Sequence, residues 1–421
     1  MGTTSRSKRP APDSPLSNPT IPDITFMHWN IENFSMKKQA KPGLFHRPGI
    51  FPKANILPTT VLNDIAAIIK QSPAPEVVTI VEVVADKSGG VEGKGIKAVS
   101  SLQQILSTSG LVFKEAVTDI TGKQQKAERY GILVDKTSWA IIKENTKLMK
   151  CKLDGAFKRT AAQYTIIEAS KAAGKAAGKI AGKIAVKTAR KPCNIVSFHA
   201  PAPIDMRNFM LQKPNAEGFI GNGKNPLKAV SVAVNALPKD IPLIFAGDFN
   251  LQIVESDGYA QQLKNNPFVT DESAQKQESF LLDLCEYIKG LELDKHGQKT
   301  SLRKVVKRKN GRLKPLGIEI PASLSSKSSK DEILAFSRKF RSHAYDQIFY
   351  KGLLKQDHAS VRSFLADYIG ILIDLGCEIK KTGNFRPVKI LQRARTISDH
   401  LPVVAQYNFP GPTTGSSKYT I

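Results

Sequence analysis

The chain has 421 residues, 41% hydrophobic and 24% charged, with 62 Lys and Arg against 37 Asp and Glu for a net charge of +25. This length allows one large core or two modest ones, and no apolar run approaches the roughly eighteen residues of a spanning helix. The positive balance argues against a basic ligand and for an acidic partner, either nucleic acid or an anionic membrane surface.

In chain order, residues 1–20 are polar, basic and carry four prolines, which predicts a disordered tail. They lack the apolar stretch of a secretory signal, and Arg6 breaks the myristoylation pattern that Gly2 would open. An intracellular protein is expected, with signal-independent secretion left open. Residues 21–410 alternate short apolar runs with helical patterns, as in an α/β or α+β chain, and 411–421 form a second polar tail. Strands are predicted at Ile24–Trp29, Val77–Val83, Tyr130–Val134, Thr165–Ile167, Asn194–Phe198, Leu243–Ala246, Ala344–Tyr350 and Val403–Tyr407. Helices are predicted at Thr60–Gln71, Gly95–Ser107, Leu227–Leu237 and Val361–Leu375, where apolar residues recur at three- and four-residue spacing. Cys151, Cys193, Cys285 and Cys377 have no metal-ligand spacing and read as reduced thiols.

Between 169 and 192 a lysine recurs at every fourth position (Lys171, Lys175, Lys179, Lys183, Lys187, Lys191) among Ala, Gly and Ile. The segment has too little apolar surface for a core, and its glycines each cost a helix about 1 kcal/mol against Ala. It reads as an insertion that is either a solvated spacer or a polycation that orders against phosphates. A second basic run contains Arg303, Lys304, Lys307, Arg308 and Lys309.

Carboxylates, amides and imidazoles interrupt the apolar strands in six places: Trp29-Asn30-Ile31-Glu32-Asn33-Phe34, Ile80-Val81-Glu82-Val83-Val84, His199-Ala200-Pro201, Gly247-Asp248-Phe249-Asn250, Ala344-Tyr345-Asp346-Gln347-Ile348 and Ser398-Asp399-His400-Leu401-Pro402-Val403. A lone carboxylate in an apolar run, such as Glu82, is costly to bury and so is expected to face a cation or a cleft. Asp248 and Asn250 are two residues apart, which in a strand would point them the same way. Oxygen donors at strand ends suit a hard divalent cation, and imidazoles suit proton transfer, two of the requirements of phosphodiester hydrolysis.

In order and spelling these segments resemble the endonuclease/exonuclease/phosphatase superfamily, from Trp29 to Val403, and within it deoxyribonuclease-I-like nucleases and toxin nucleases of that fold. The resemblance implies a four-layered α/β sandwich of two mixed sheets packed face to face with outer helices. It implies Asn30, Glu82 and Asp399 around a divalent metal, Mg²⁺ first and Mn²⁺ or Ca²⁺ as alternatives, with Asp248 and Asn250 near a second ion. It also implies two acid–base dyads, His199 with Glu128 and His400 with Asp346. Residues 251–343 and 351–395 are longer than that pattern and read as insertions at the site rim or an end of the sandwich. Phe245-Ala246-Gly247-Asp248 and Tyr345-Asp346-Gln347 depart from the Trp-containing and Cys-Asp-Arg spellings of inositol-polyphosphate phosphatases. Glu32, and the absence of arginine from Val83-Val84-Ala85, depart from the DNA-contacting arginines of deoxyribonuclease I. The resulting expectation is a monomeric DNA endonuclease whose phosphate contacts come from Lys171, Lys175, Lys179, Lys183, Lys187, Arg303, Lys304, Lys307, Arg308 and Lys309. A phosphoinositide or other phosphomonoester phosphatase, and an inactive nucleic-acid-binding protein, are the alternatives.

Overall fold

The computed structural model describes residues 21–41, 60–85, 94–108, 110–121, 127–151, 159–169, 192–200, 226–251, 282–296, 298–307, 313–315, 329–362 and 386–410. The first sheet has the order β13-β14-β1-β2-β4-β3, built from β1 (Ile24–Phe34), β2 (Val77–Val84), β3 (Phe113–Val117), β4 (Glu128–Asp135), β13 (Leu354–Val361) and β14 (Val403–Asn408). The second runs β5-β6-β7-β8-β12-β9, from β5 (Trp139–Leu148), β6 (Ala162–Glu168), β7 (Pro192–His199), β8 (Leu243–Asp248), β9 (Glu292–Leu293) and β12 (Asp346–Lys351). Each sheet has one parallel pair, β1 with β2 and β7 with β8, flanked by antiparallel neighbours. A separate hairpin joins β10 (Val305–Lys307) to β11 (Leu313–Pro315).

The central strands are apolar on both faces because both faces are covered. Trp29, Ile80, Ile132, Tyr164, Ile195, Ile244 and Ile348 fill the main core. Helices α1 (Met36–Gln39), α2 (Val61–Ile69), α3 (Lys94–Thr108) and α6 (Arg386–Ile397) group on the first sheet's side. Helix α4 (Pro226–Asn235) packs Leu227, Val230 and Val234 against Phe198, Phe245, Phe249 and Phe349 behind the second sheet. The expected four layers of helix, sheet, sheet and helix are therefore present; α5 (Lys330–Arg338) carries a Ser329–Glu332 capping box.

All eight predicted strands form, though β12 begins at Asp346 and not at Ala344. Thr300 Oγ1 accepts from the backbone N–H of both Tyr345 and Asp346, 3.1 Å each, and so holds the preceding residues in a loop. The helix expected from Val361 does not start there: Val361 ends β13, and the N–H of Arg362 donates to Pro402 O. The remainder of that expectation, 363–375, lies outside the described residues, as do the lysine repeat, Arg308 and Lys309. Strands β3, β5, β9 and β13 were not predicted because edge strands or short strands carry weak apolar alternation. β9 and β13, which lie in the two supposed insertions, extend the edges of the two sheets.

Candidate active site

The polar residues gather where the two parallel pairs end. In β1 and β2 the pairing register shifts between Asn30 and Phe34 and between Ile80 and Val83, and Asn33 (φ 55°) and Glu82 (φ 59°) take left-handed conformations. Such a conformation costs a non-glycine residue about 1–3 kcal/mol and, in a bulge, turns the side chain out of the sheet's alternation. Glu82 is thereby brought to Asn30, whose Nδ2 donates to Glu82 Oε1 and to Asp248 Oδ2, 3.0 Å each. Asn30 Oδ1 is left buried with no partner.

Gly247 lets β8 approach β7. A Cβ there would lie 2.2 Å from Phe198 O, which accounts for the glycine before Asp248. Asp248 closes the strand, but Asn250 (φ 52°) does not continue it. The Asn250 backbone N–H donates to Asp248 Oδ1 at 3.0 Å and its side chain donates to Ala200 O at 3.3 Å. The two side chains therefore do not share a strand face as their spacing suggested; the Asn braces the Asp through its backbone.

Asp248 Oδ2 lies 3.7 Å from His199 Nε2 and 3.6 Å from His400 Nε2. Behind each imidazole stands a carboxylate. His199 Nδ1 is 2.9 Å from both Glu128 oxygens, and His400 Nδ1 is 2.7 Å from Asp346 Oδ2. Burial opposes the charge on His199, but Glu128, aided by Glu82, outweighs it and the opposing Arg159, so its pKa stands above the ordinary value. Burial likewise opposes the charge on His400, and Asp346, Asp248 and Asp399 together raise its pKa well above normal. Glu82 is half-buried and partly desolvated, yet His199 and the Asn30 amide keep its pKa below the usual range. Asp248 goes the other way, raised by burial.

The loop Ser398–His400 is fastened to β1: Ser398 Oγ donates to Asn30 O at 2.6 Å and Trp29 Nε1 donates to His400 O at 2.9 Å. Asp399 is the most open carboxylate of the group and pairs with Arg395 at 3.2 Å. All nine expected site positions outside the basic runs thus converge. Asn30, Glu82, Asp248 and Asp399 offer hard oxygen donors, and the orphaned Asn30 Oδ1 fits a cation better than it fits solvent exclusion. A tighter trio, Asp248, Asp346 and His400, has ligand atoms within 4.8 Å of one another. A hard divalent ion prefers oxygen donors to an imidazole, so we favour the oxygen set. Among the basic-run positions, Arg303 and Lys304 precede β10 beside the site loop, where Leu302 N–H donates to Asp399 O at 2.6 Å. Lys307 closes β10.

No protein-family model matches the sequence, and no curated protein does. Solved structures do resemble it. An endonuclease/exonuclease/phosphatase family protein from Bacteroides thetaiotaomicron is 11% identical with a TM-score of 0.43, covering 92% of this chain and 98% of its own. Humanized D. rerio TDP2 is 10% identical with a TM-score of 0.41, covering 91% and 98%. A mannosyl-6-phosphatase from Bacteroides thetaiotaomicron is 11% identical with a TM-score of 0.40, covering 92% and 100%.

Two residues adjoining the dyads were missed from sequence. Arg159 lies against the His199 ring, Nη1 2.9 Å from Nδ1, and reaches Glu128 Oε2 at 3.4 Å. With Nδ1–H given to Glu128, Arg159 is a close cation and not a donor to that ring atom. It stands in a polar loop before β6, where nothing singled it out. His28 is fully buried, with Nδ1 3.1 Å from Thr79 Oγ1 and Nε2 3.7 Å from Asp346 Oδ1. Burial lowers its pKa to about 4, so it is a neutral ring behind Asp346. Like Glu82, His28 is a single ionisable group in an apolar strand, and that signal could have found it.

Proposed function

We propose that this protein is a divalent-metal-dependent phosphodiesterase acting on DNA. The observation that carries the reading is Asp248 set between two imidazoles, each backed by its own carboxylate. Asn30, Glu82 and Asp399 would hold the ion, with Asp248 and Asn250 beside it. A bound Mg²⁺ would supply charge neutralisation at the phosphate oxygens and acidify water. The chain's own groups do the rest. Asp346 and Glu128 fix their imidazoles with Nδ1 protonated and leave both Nε2 atoms facing the reacting phosphate. His400, whose pKa is the more strongly raised, suits donation of a proton to the leaving oxygen. His199, where Arg159 opposes the charge, is better suited to accept one from water. Asp248 orients both rings, and Arg159 gives the phosphate a cation on the His199 side.

Nucleic acid as the substrate is supported by the +25 charge and by the cations preceding β10, and the intact set of ionisable groups argues against a purely binding role. Supercoiled plasmid incubated with Mg²⁺ should be nicked by the wild type, be spared in EDTA, and be nicked at least a hundredfold more slowly by His199→Ala and His400→Ala. Equal nicking by all three proteins would refute the site. Release of inorganic phosphate from a phosphomonoester with the plasmid left intact would replace the nuclease by a phosphatase.

A further inference from the structure

Among the described residues, a concentration of charge not used by the dyads adjoins Asp399 through Arg395. A cleft of about 450 Å³ opens between α1 with its flanking loops and the last turns of α6, and four cations, Lys37, Lys38, Lys41 and Arg395, line it with one carboxylate, Glu32. Four like charges around one hollow repel each other, so the arrangement favours an anion inside it. Lys38 sharpens the point. Its side chain is buried, and among the described residues its ammonium donates to the backbone carbonyl of Glu32 and not to a carboxylate. Burial pulls its pKa down to about 8, the mark of a cation without full compensation from its surroundings.

The cleft shares a wall with the proposed metal set. Arg395 holds Asp399 at 3.2 Å, and the N–H of Asn33 donates to Glu82 Oε2 at 3.2 Å. An anion seated there would therefore adjoin the phosphate under attack. Val305 of β10 also lines the cleft, on the other side from α1 and its lysines. Several cations beside the metal set suit a strand, whose phosphates follow one another on either side of the one attacked. We propose that this cleft binds the phosphate flanking the scissile one on a nucleic-acid strand. The proposal rests on the phosphodiesterase reading for the position of the scissile phosphate, while the cleft itself can be tested without catalysis.

The probe is a fluorescein-labelled single-stranded oligothymidylate of twelve nucleotides, titrated in EDTA and followed by anisotropy over a range of salt concentrations. The proteins compared are the wild type, the double variant Lys37→Ala/Lys41→Ala, Arg395→Gln and a control, Lys114→Ala/Lys136→Ala. The control removes the same two charges from exposed sites on β3 and just after β4. The cleft double variant should weaken binding about tenfold and lower the slope of log K against log salt by roughly 0.7 for each phosphate left without its cation. Arg395→Gln should weaken binding in the same direction, and the control should stay within about twofold of the wild type. Equal weakening in cleft and control variants would overturn the proposal, because net charge alone would then account for binding. So would tight binding of inositol 1,4,5-trisphosphate that the cleft variants abolish while oligonucleotide binding is untouched, which would make the occupant a head group. Selective loss of oligonucleotide binding in a protein that cleaves no phosphodiester with Mg²⁺ would keep the subsite and remove the phosphodiesterase reading. Cleavage with unchanged binding would do the reverse.

Discussion

The His199 and His400 dyads are near mirror images around Asp248, yet their surroundings differ. His199 sits at the end of a regular parallel pair, between Glu128 and Glu82, with Arg159 against its ring. His400 sits on a loop tied to β1, among Asp346, Asp248 and Asp399, with neutral His28 beyond Asp346. One imidazole is thus balanced between carboxylate and guanidinium, and the other faces carboxylates alone. Identical pairs would have no reason to divide the work of accepting and donating a proton; these unequal ones do.

The largest effect should come from removing what the dyads share. Asp248→Asn should cost about 10³-fold in turnover, equivalent to several kcal/mol of transition-state stabilisation, with the fold intact by circular dichroism. Breaking one side alone should be informative through pH. An acid with a raised pKa stays protonated to higher pH, and the rate falls as pH rises through that pKa. Asp346→Asn removes the main group raising His400, so the alkaline limb of the turnover profile should move to lower pH. Arg159→Ala should act on the other dyad with a smaller effect, about tenfold. Removing a cation that depresses His199 should move the acid limb to higher pH, since a base must lose its proton to act.

Stability gives the smallest effect. A histidine whose folded pKa exceeds its unfolded value near 6.5 stabilises the protein fully below that value, and the contribution is lost as pH rises through the folded pKa. In EDTA the melting temperature should therefore decline as pH rises above about 6.5. Asp346→Asn should flatten that decline more than Glu128→Gln, because His400 is the more strongly raised ring. Equal flattening by the two variants would erase the asymmetry between the dyads.

Much of the site was legible because buried polar groups are rare in apolar strands. Asn30, Glu82, His199, Asp248, Asp346 and His400 each break such a run, and the chain brings them to one end of the sandwich. The local geometry was not legible. Spacing alone placed Asp248 and Asn250 on one face, whereas a left-handed Asn250 turns the chain and makes its backbone a brace. The left-handed Glu82 was likewise invisible, since nothing in Val81-Glu82-Val83 marks a bulge. Arg159 stayed hidden because its role depends on a loop folding back over β7, and Lys38 because an ordinary lysine-rich turn gives no sign of being buried. The edge strands β5 and β13 were missed for a related reason: half their residues face outward, and their sequences look like loops.

The most direct measurement is hydrolysis of bis(p-nitrophenyl) phosphate by the purified chain, titrated with Mg²⁺ and compared with Asp248→Asn at equal concentration. Nitrophenolate release that saturates with the ion, stops in EDTA and nearly vanishes in Asp248→Asn is the predicted result. Release that is indifferent to EDTA, or equally fast in the variant, would contradict a metal-dependent phosphodiesterase organised around Asp248.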